Sequence, residues 1–123
     1  MSNITFINGE EGILRYRGYP IENLTKNELF SDVSYLLIYG GLDNDSLDSI
    51  SRNDFKNLIR KNANIHEDMK RFFDGFPLNA HPMATLSSMV TALSAFNPIS
   101  TDDEDSINYT IIKILAKVKT IAA

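Results

Sequence analysis

Imidazole changes charge near neutrality and ligates transition metals, and this chain has two histidines, His66 and His81. They fall on different predicted helices, cysteine is absent and no carboxylate stands at ligand spacing, so the pair forms no recognisable metal or acid–base site. The roles expected of them are structural: His81 capping the helix that Pro82 opens, and His66 starting its own. The carboxylate pairs Glu10 with Glu11 and Asp102 with Asp103 could do acid catalysis only if enclosure raised one pKa. Both pairs sit in turn-like sequence and read as surface charge. Arg15 and Arg17 alternate with Leu14 and Tyr16, which on a strand sends both guanidinia to one side. That makes an anion site or, more readily, a solvated or salt-bridged strand face. No catalytic, cofactor-binding or metal-ligating residue follows from these patterns.

The elements that would carry these groups are legible from periodicity. Residues 4–7 and 13–17 are β-prone runs around Asn8-Gly-Glu-Glu-Gly12, whose Asn-Gly pair tolerates the positive φ of a tight hairpin. Gly18 and Pro20 break that pattern, and Ile21, Leu24 and Leu29 suit a short helix entered after Pro20. Ser31 is a good N-cap for a helix that places Val33, Leu36, Leu37 and Gly40 on one face and stops at Gly40-Gly41. From Asp45 to Lys61, Leu47, Ile50, Phe55, Leu58 and Ile59 keep a looser amphipathic rhythm, with basic residues toward the C-terminal end. A short helix over 66–73 carries Met69, Phe72 and Phe73.

The strongest pattern follows. Asn79 or His81 caps a helix with Pro82 in its first turn, and Met83, Leu86, Met89, Val90, Leu93 and Phe96 recur at three- and four-residue steps until Asn97-Pro98 ends it. Small residues occupy much of the remaining circumference, which suits close packing as core, as an interface, or as both. The acidic run 102–105 complements the N-terminus of a last helix, from about Ser106, with Ile107, Ile111, Ile114, Leu115, Val118 and Ile121 as its apolar stripe. That stripe is still in phase at Ala123 with no stop signal, so the expectation is an incomplete domain.

Composition narrows the classes. The 123 residues, 43% hydrophobic and 23% charged, suffice for one globular unit or part of one. A net charge of −4 gives no electrostatic footprint for nucleic acid. The lack of cysteine removes disulfides and thiolate chemistry. Residues 1–20 do not read as a signal peptide and no run is long enough for a membrane span, so the expected location is cytoplasmic.

Two stretches carry a resemblance: 12–24, Gly-Ile-Leu-Arg-Tyr-Arg-Gly-Tyr-Pro-Ile-Glu-Asn-Leu, and 79–96, which opens Asn-Ala-His-Pro-Met. At these residues, and over essentially its whole length, the chain resembles citrate synthase. The Ile-Asn-Gly-Glu-Glu-Gly hairpin is written as in the bacterial hexameric type, and 2-methylcitrate synthase is a close relative that this region separates poorly. The resemblance implies a mainly α fold, with a β-hairpin segment over 1–20 and part of the helical large domain over 21–123.

The activity implied is condensation of acetyl-CoA with oxaloacetate and water to citrate and CoA, the first step of the tricarboxylic acid cycle, by a transferase needing no cofactor or metal. In the family an aspartate removes the methyl proton, one histidine stabilises the enol and another polarises the ketone. All three lie beyond this segment, as do most oxaloacetate- and CoA-binding residues, so the segment alone is expected to be inactive. The helix from Met83 to Phe96 resembles one in the sandwich between two subunits, implying self-association. Some bacterial members are inhibited by NADH at a basic pocket. Lys117 fits a lysine of that pocket, but Lys113 stands where arginine is usual and Asn97 where tyrosine is, a mixture that weakens any implication of NADH control. Lys119 occupies a position commonly proline. The rival expectation is a truncated open reading frame, at most a helical interaction module.

Overall fold

The computed structural model describes residues 2–42, 50–98 and 103–123. They form two compact units, residues 1–56 and 57–123.

The first unit opens with a three-stranded antiparallel sheet in the order β1 (Thr5–Asn8), β2 (Ile13–Tyr16), β3 (Tyr19–Pro20). Asn8 pairs with Ile13, leaving a four-residue loop, and the Asn8 side chain accepts from the backbone N–H of Glu10 and Glu11 at 3.1 and 3.2 Å. The positive φ falls at Gly12, at 66°, rather than at Gly9 beside Asn8. The Asn side chain therefore builds the turn by hydrogen bonding, and the far glycine supplies the left-handed residue. The third strand was not expected. Instead of ending the sheet, Arg17 and Gly18, with φ of 49° and 88°, make a two-residue hairpin turn that sets Tyr16 opposite Tyr19 and Arg15 opposite Pro20.

Pro20 then stands at the N-cap of α1 (Ile21–Asn27), whose Leu24 is buried. Leu29 does not belong to that helix. It is the N-cap of α2 (Phe30–Tyr39) and is 67% exposed. The expected cap, Ser31, lies inside α2, and Asp32 performs the capping, its Oδ2 accepting from the Leu29 N–H at 3.1 Å. The buried face is accordingly Asp32, Tyr35 and Leu36, with Val33 and Leu37 only half-buried. Gly40 stops the helix as expected, at φ 92°.

α3 (Arg52–Lys61) starts behind Ser51, whose hydroxyl accepts from the Asp54 N–H at 3.1 Å. Its Phe55 is fully buried, with ring centroids 5.5 Å from Tyr35 and 5.8 Å from Tyr39, both edge-on. Leu47, expected on this helix, lies outside the described residues.

The second unit takes its core from Met69, Met89, Leu93 and Ile121, with Phe73, Phe76 and Val90 packed against it. α4 (Glu67–Lys70) is short and brings in Met69. The helix predicted over 66–73 stops at Lys70, a 3₁₀ turn at Phe73–Gly75 follows it, and Phe72 is left 51% exposed. α5 (Pro82–Phe96) carries Met89 and Leu93 inward, while Met83 is 60% exposed.

α6 (Glu104–Ala122) begins at Asp103, whose carboxylate accepts from the Ser106 N–H at 2.8 Å. Its buried line is Ile112, Ala116, Lys117 and Ile121; of the predicted stripe Ile121 is buried, Ile111, Leu115 and Val118 are half-buried, and Ile107 and Ile114 are exposed. The helix is rotated toward the positions where the small Ala116 allows close approach. The predicted mainly α architecture with a leading β segment is thus the one observed.

Candidate functional site

The residues singled out for chemistry are not gathered into one place. His66 caps α4, its Nδ1 accepting from the Asp68 N–H at 3.1 Å while the ring stacks on Phe96 with centroids 5.3 Å apart. His81 caps α5 in the same way, its Nδ1 accepting from the Met83 N–H at 3.2 Å. In both rings the proton of a neutral imidazole must then sit on Nε2. Glu10 and Glu11 are exposed in the β1–β2 loop, where Glu11 accepts from the Asn8 amide at 3.0 Å. Asp103 is consumed by the α6 cap, and the hydrogen bonds from the Ser106 N–H and hydroxyl hold its carboxyl below the ordinary value of 3.8. Its predicted companion Asp102 lies outside the described residues.

Arg15 and Arg17 do not share a strand face. Arg17 sits in the β2–β3 turn with positive φ, and its Nη2 donates to the carbonyl of Leu37 at 2.9 Å. A hairpin turn reverses the chain at that residue, so strand alternation no longer governs where the guanidinium points. It becomes a cap for the last turn of α2.

A charged cluster that went unnoticed in the sequence lies on the first unit. Asp32, 1% exposed, pairs with Arg52 and, at 2.6 Å, with Lys56, and Arg52 also pairs with Glu28. Burial alone would raise the Asp32 pKa, but the hydrogen bonds from Arg52, Lys56 and the Leu29 N–H pull it below 3.8. Both oxygens of Asp32 are engaged, Oδ1 by Arg52 and Lys56 of α3 and Oδ2 by the Leu29 N–H, so the cluster ties α2 to α3 as a structural ion pair. Its only sequence signal was an acidic residue in the first turn of α2.

The candidate site is a cavity of about 170 Å³ between α5 and α6, lined chiefly by Val90, Leu93, Asn97, Ile114, Lys113 and Lys117. Lys113 Nζ sits 4.4 Å above the centroid of the Tyr109 ring, a cation–π contact. Lys117, 8% exposed, donates from Nζ to the carbonyl of Asn64 at 2.5 Å. Burial, and secondarily the charge of Lys113, pushes its pKa below the ordinary 10.5.

The cavity brings together Asn97, Lys113 and Lys117, three residues the sequence had associated, while Lys119 is exposed outside it. An apolar recess with two amines can hold a small anionic or carbonyl-bearing group. It offers no carboxylate or imidazole for acid–base catalysis. Among the described residues no group of three or more histidine and carboxylate side chains could hold a metal ion, and no helix is long and apolar enough to cross a membrane.

The family model described as "Citrate synthase, C-terminal domain" matches residues 1–123. Citrate synthase 1 of Mycobacterium tuberculosis is 51% identical over 125 residues, covering 99% of this chain and 28% of that protein. The citrate synthase of Corynebacterium glutamicum is 43% identical over 127 residues, with the same 99% and 28% coverage. The chain therefore spans 28% of the length of these curated relatives. Among solved structures, citrate synthase from Pyrobaculum aerophilum superposes with a TM-score of 0.81 at 28% identity, over 98% of this chain and 32% of that one. The citrate synthase of Thermoplasma acidophilum, solved in ternary complex with carboxymethyl coenzyme A and oxaloacetate, shares the fold.

 Its superposition has a TM-score of 0.81 at 20% identity over 99% of this chain and 32% of that one, a likeness of fold alone. With a family match running over all its residues and half of them identical to a curated relative, the chain belongs to the citrate synthase family.

Proposed function

We propose that this polypeptide is the scaffold part of a cytoplasmic citrate synthase, whose whole condenses acetyl-CoA with oxaloacetate and water to citrate and CoA. The observation that carries the reading is the match to Mycobacterium tuberculosis citrate synthase 1 at 51% identity over 28% of that protein. The solved relative holding carboxymethyl coenzyme A and oxaloacetate supports the substrate class. In this reading the 123 residues provide helices and a subunit surface, including Met83 to Phe96, and the reacting groups come from elsewhere in the enzyme. 2-Methylcitrate synthase is the close relative to be separated by substrate.

A second reading, a helical interaction module without catalysis, is favoured by α5, where Ser87, Ser88, Thr91 and Ser94 are exposed on one side. The experiment is a graft. The polypeptide alone and a chimera carrying it in place of the matching segment of Mycobacterium tuberculosis citrate synthase 1 are given oxaloacetate with acetyl-CoA or propionyl-CoA, and CoA release is followed with a thiol reagent. The scaffold reading expects no release by the polypeptide and release by the chimera, greater with acetyl-CoA. Release by the polypeptide alone, or a folded but inactive chimera, overturns it.

A further inference from the structure

The reading above makes no use of the buried amine on α6. Lys117 is the one lysine that the described structure buries, 8% exposed on the face of α6 that carries Ile112 and Ala116. It lines the cavity between α5 and α6. A lysine normally keeps its charge by reaching water or a carboxylate. Here its nitrogen meets a single neutral acceptor, the Asn64 carbonyl at 2.5 Å. The lining residues from α5, Val90, Leu93 and Ser94, and from the segment after it, Asn97 and Pro98, are all uncharged. On its own helix the charge that acts on it is the like charge of Lys113.

We propose that Lys117 is a nucleophilic amine that takes an acyl group from a small activated donor, an acyl phosphate or an acyl thioester, entering this cavity. The neutral amine is the reactive form, and the surroundings favour it. Desolvation penalises the ammonium, and Lys113 adds repulsion. The Asn64 carbonyl holds one N–H and so orients the nitrogen, leaving the remaining positions free for attack. The cavity, about 170 Å³, has room for several waters and therefore for a two-carbon acyl group.

In the step itself the Nζ lone pair attacks the acyl carbonyl carbon. The bond from that carbon to the phosphate oxygen or thioester sulfur breaks, and its electron pair leaves with phosphate or thiolate. The nitrogen gives a proton to water, and an amide remains. Nothing is oxidised or reduced. The product has lost its positive charge, so acylation would leave Lys113 as the cavity's remaining cation.

The test treats the intact polypeptide with acetyl phosphate or with acetyl-CoA in separate arms, at a series of pH values from about 6 to about 9, below the ordinary lysine range. Site occupancy is read by peptide mass spectrometry, and each arm is repeated in urea. Lys117 is expected to acetylate several-fold faster than the exposed Lys119 on the same helix, to level off at lower pH, and to lose that advantage in urea. A preference with acetyl phosphate alone assigns the small donor, and one with acetyl-CoA as well admits the thioester. A Lys117 rate equal to or below that of Lys119 at every pH in both arms, or a preference that persists in urea, overturns the proposal.

Discussion

The guanidinium of Arg17 reaches across the first unit to the carbonyl of Leu37, 2.9 Å away, and so closes the last turn of α2 from a hairpin twenty residues earlier. A cation at a helix C-terminus satisfies an orphan carbonyl and complements the macrodipole. The geometry depends on the left-handed φ of 49° at Arg17 itself, which a non-glycine residue adopts at some cost. Gly40, φ 92°, ends the helix beside it, and a side chain there would sit about 4.0 Å from the guanidinium carbon.

Arg17→Ala keeps the backbone strain and removes the cap and its packing. The expected loss is about 1–2 kcal/mol in urea unfolding. Arg17→Gly relieves the strain and is expected to fall less far than alanine. Equal midpoints for the wild type and Arg17→Ala would show that Leu37 is served as well by water.

Asp32→Asn leaves Arg52 and Lys56 facing a neutral amide at a position 1% exposed. Breaking a buried charge pair from one side costs roughly 3 kcal/mol, so a large drop in unfolding midpoint is expected. The pH dependence follows from the folded pKa lying below 3.8. The unfolded carboxylate takes up its proton first, so this contribution is present above about pH 4 and is lost as pH falls through the folded value. Acid titration of unfolding should show that loss in the wild type and not in Asp32→Asn; parallel acid curves for the two proteins would contradict the assignment.

Replacing His81 by alanine removes the acceptor for the Met83 N–H at the start of α5. About 1 kcal/mol of stability should go with it, and His81→Asn, whose side chain also caps, should recover most of that. Circular dichroism and urea midpoints together read the outcome. Failure of asparagine to recover what alanine loses would assign the ring a packing role instead.

Phe55→Ala empties the space beside the Tyr35 and Tyr39 rings, against which the Phe55 ring packs edge-on. Removing a fully buried phenylalanine costs about 3–5 kcal/mol, enough to unfold the first unit if its margin is ordinary. Near-ultraviolet circular dichroism of the tyrosines is expected to collapse, whereas Phe72→Ala, at a site 51% exposed, should leave it nearly intact. An equal response from both substitutions would place Phe55 outside the core.

The sequence determined the first hairpin, the long helices and several of their stops. The apolar rhythm of 82–96, Pro82 at its first turn, Gly40 after α2 and the acidic approach to α6 are local rules, because a helix is closed by hydrogen bonds between residues three or four apart. It also carried the family, through the Gly-Tyr-Pro-Ile-Glu and Ala-His-Pro-Met stretches. Tertiary structure decided which side of each helix faces inward. On α6 several rotations satisfy an isoleucine-rich pattern, and packing selected the one through Ala116, which buried Lys117 and exposed Ile114. On α2 Asp32 caps the Leu29 N–H locally through Oδ2, while Arg52 and Lys56, remote in sequence, pair with its Oδ1, a role no local pattern announced. A one-dimensional pattern fixes the period of a buried face but not its phase, since the phase is set by the partner that covers it.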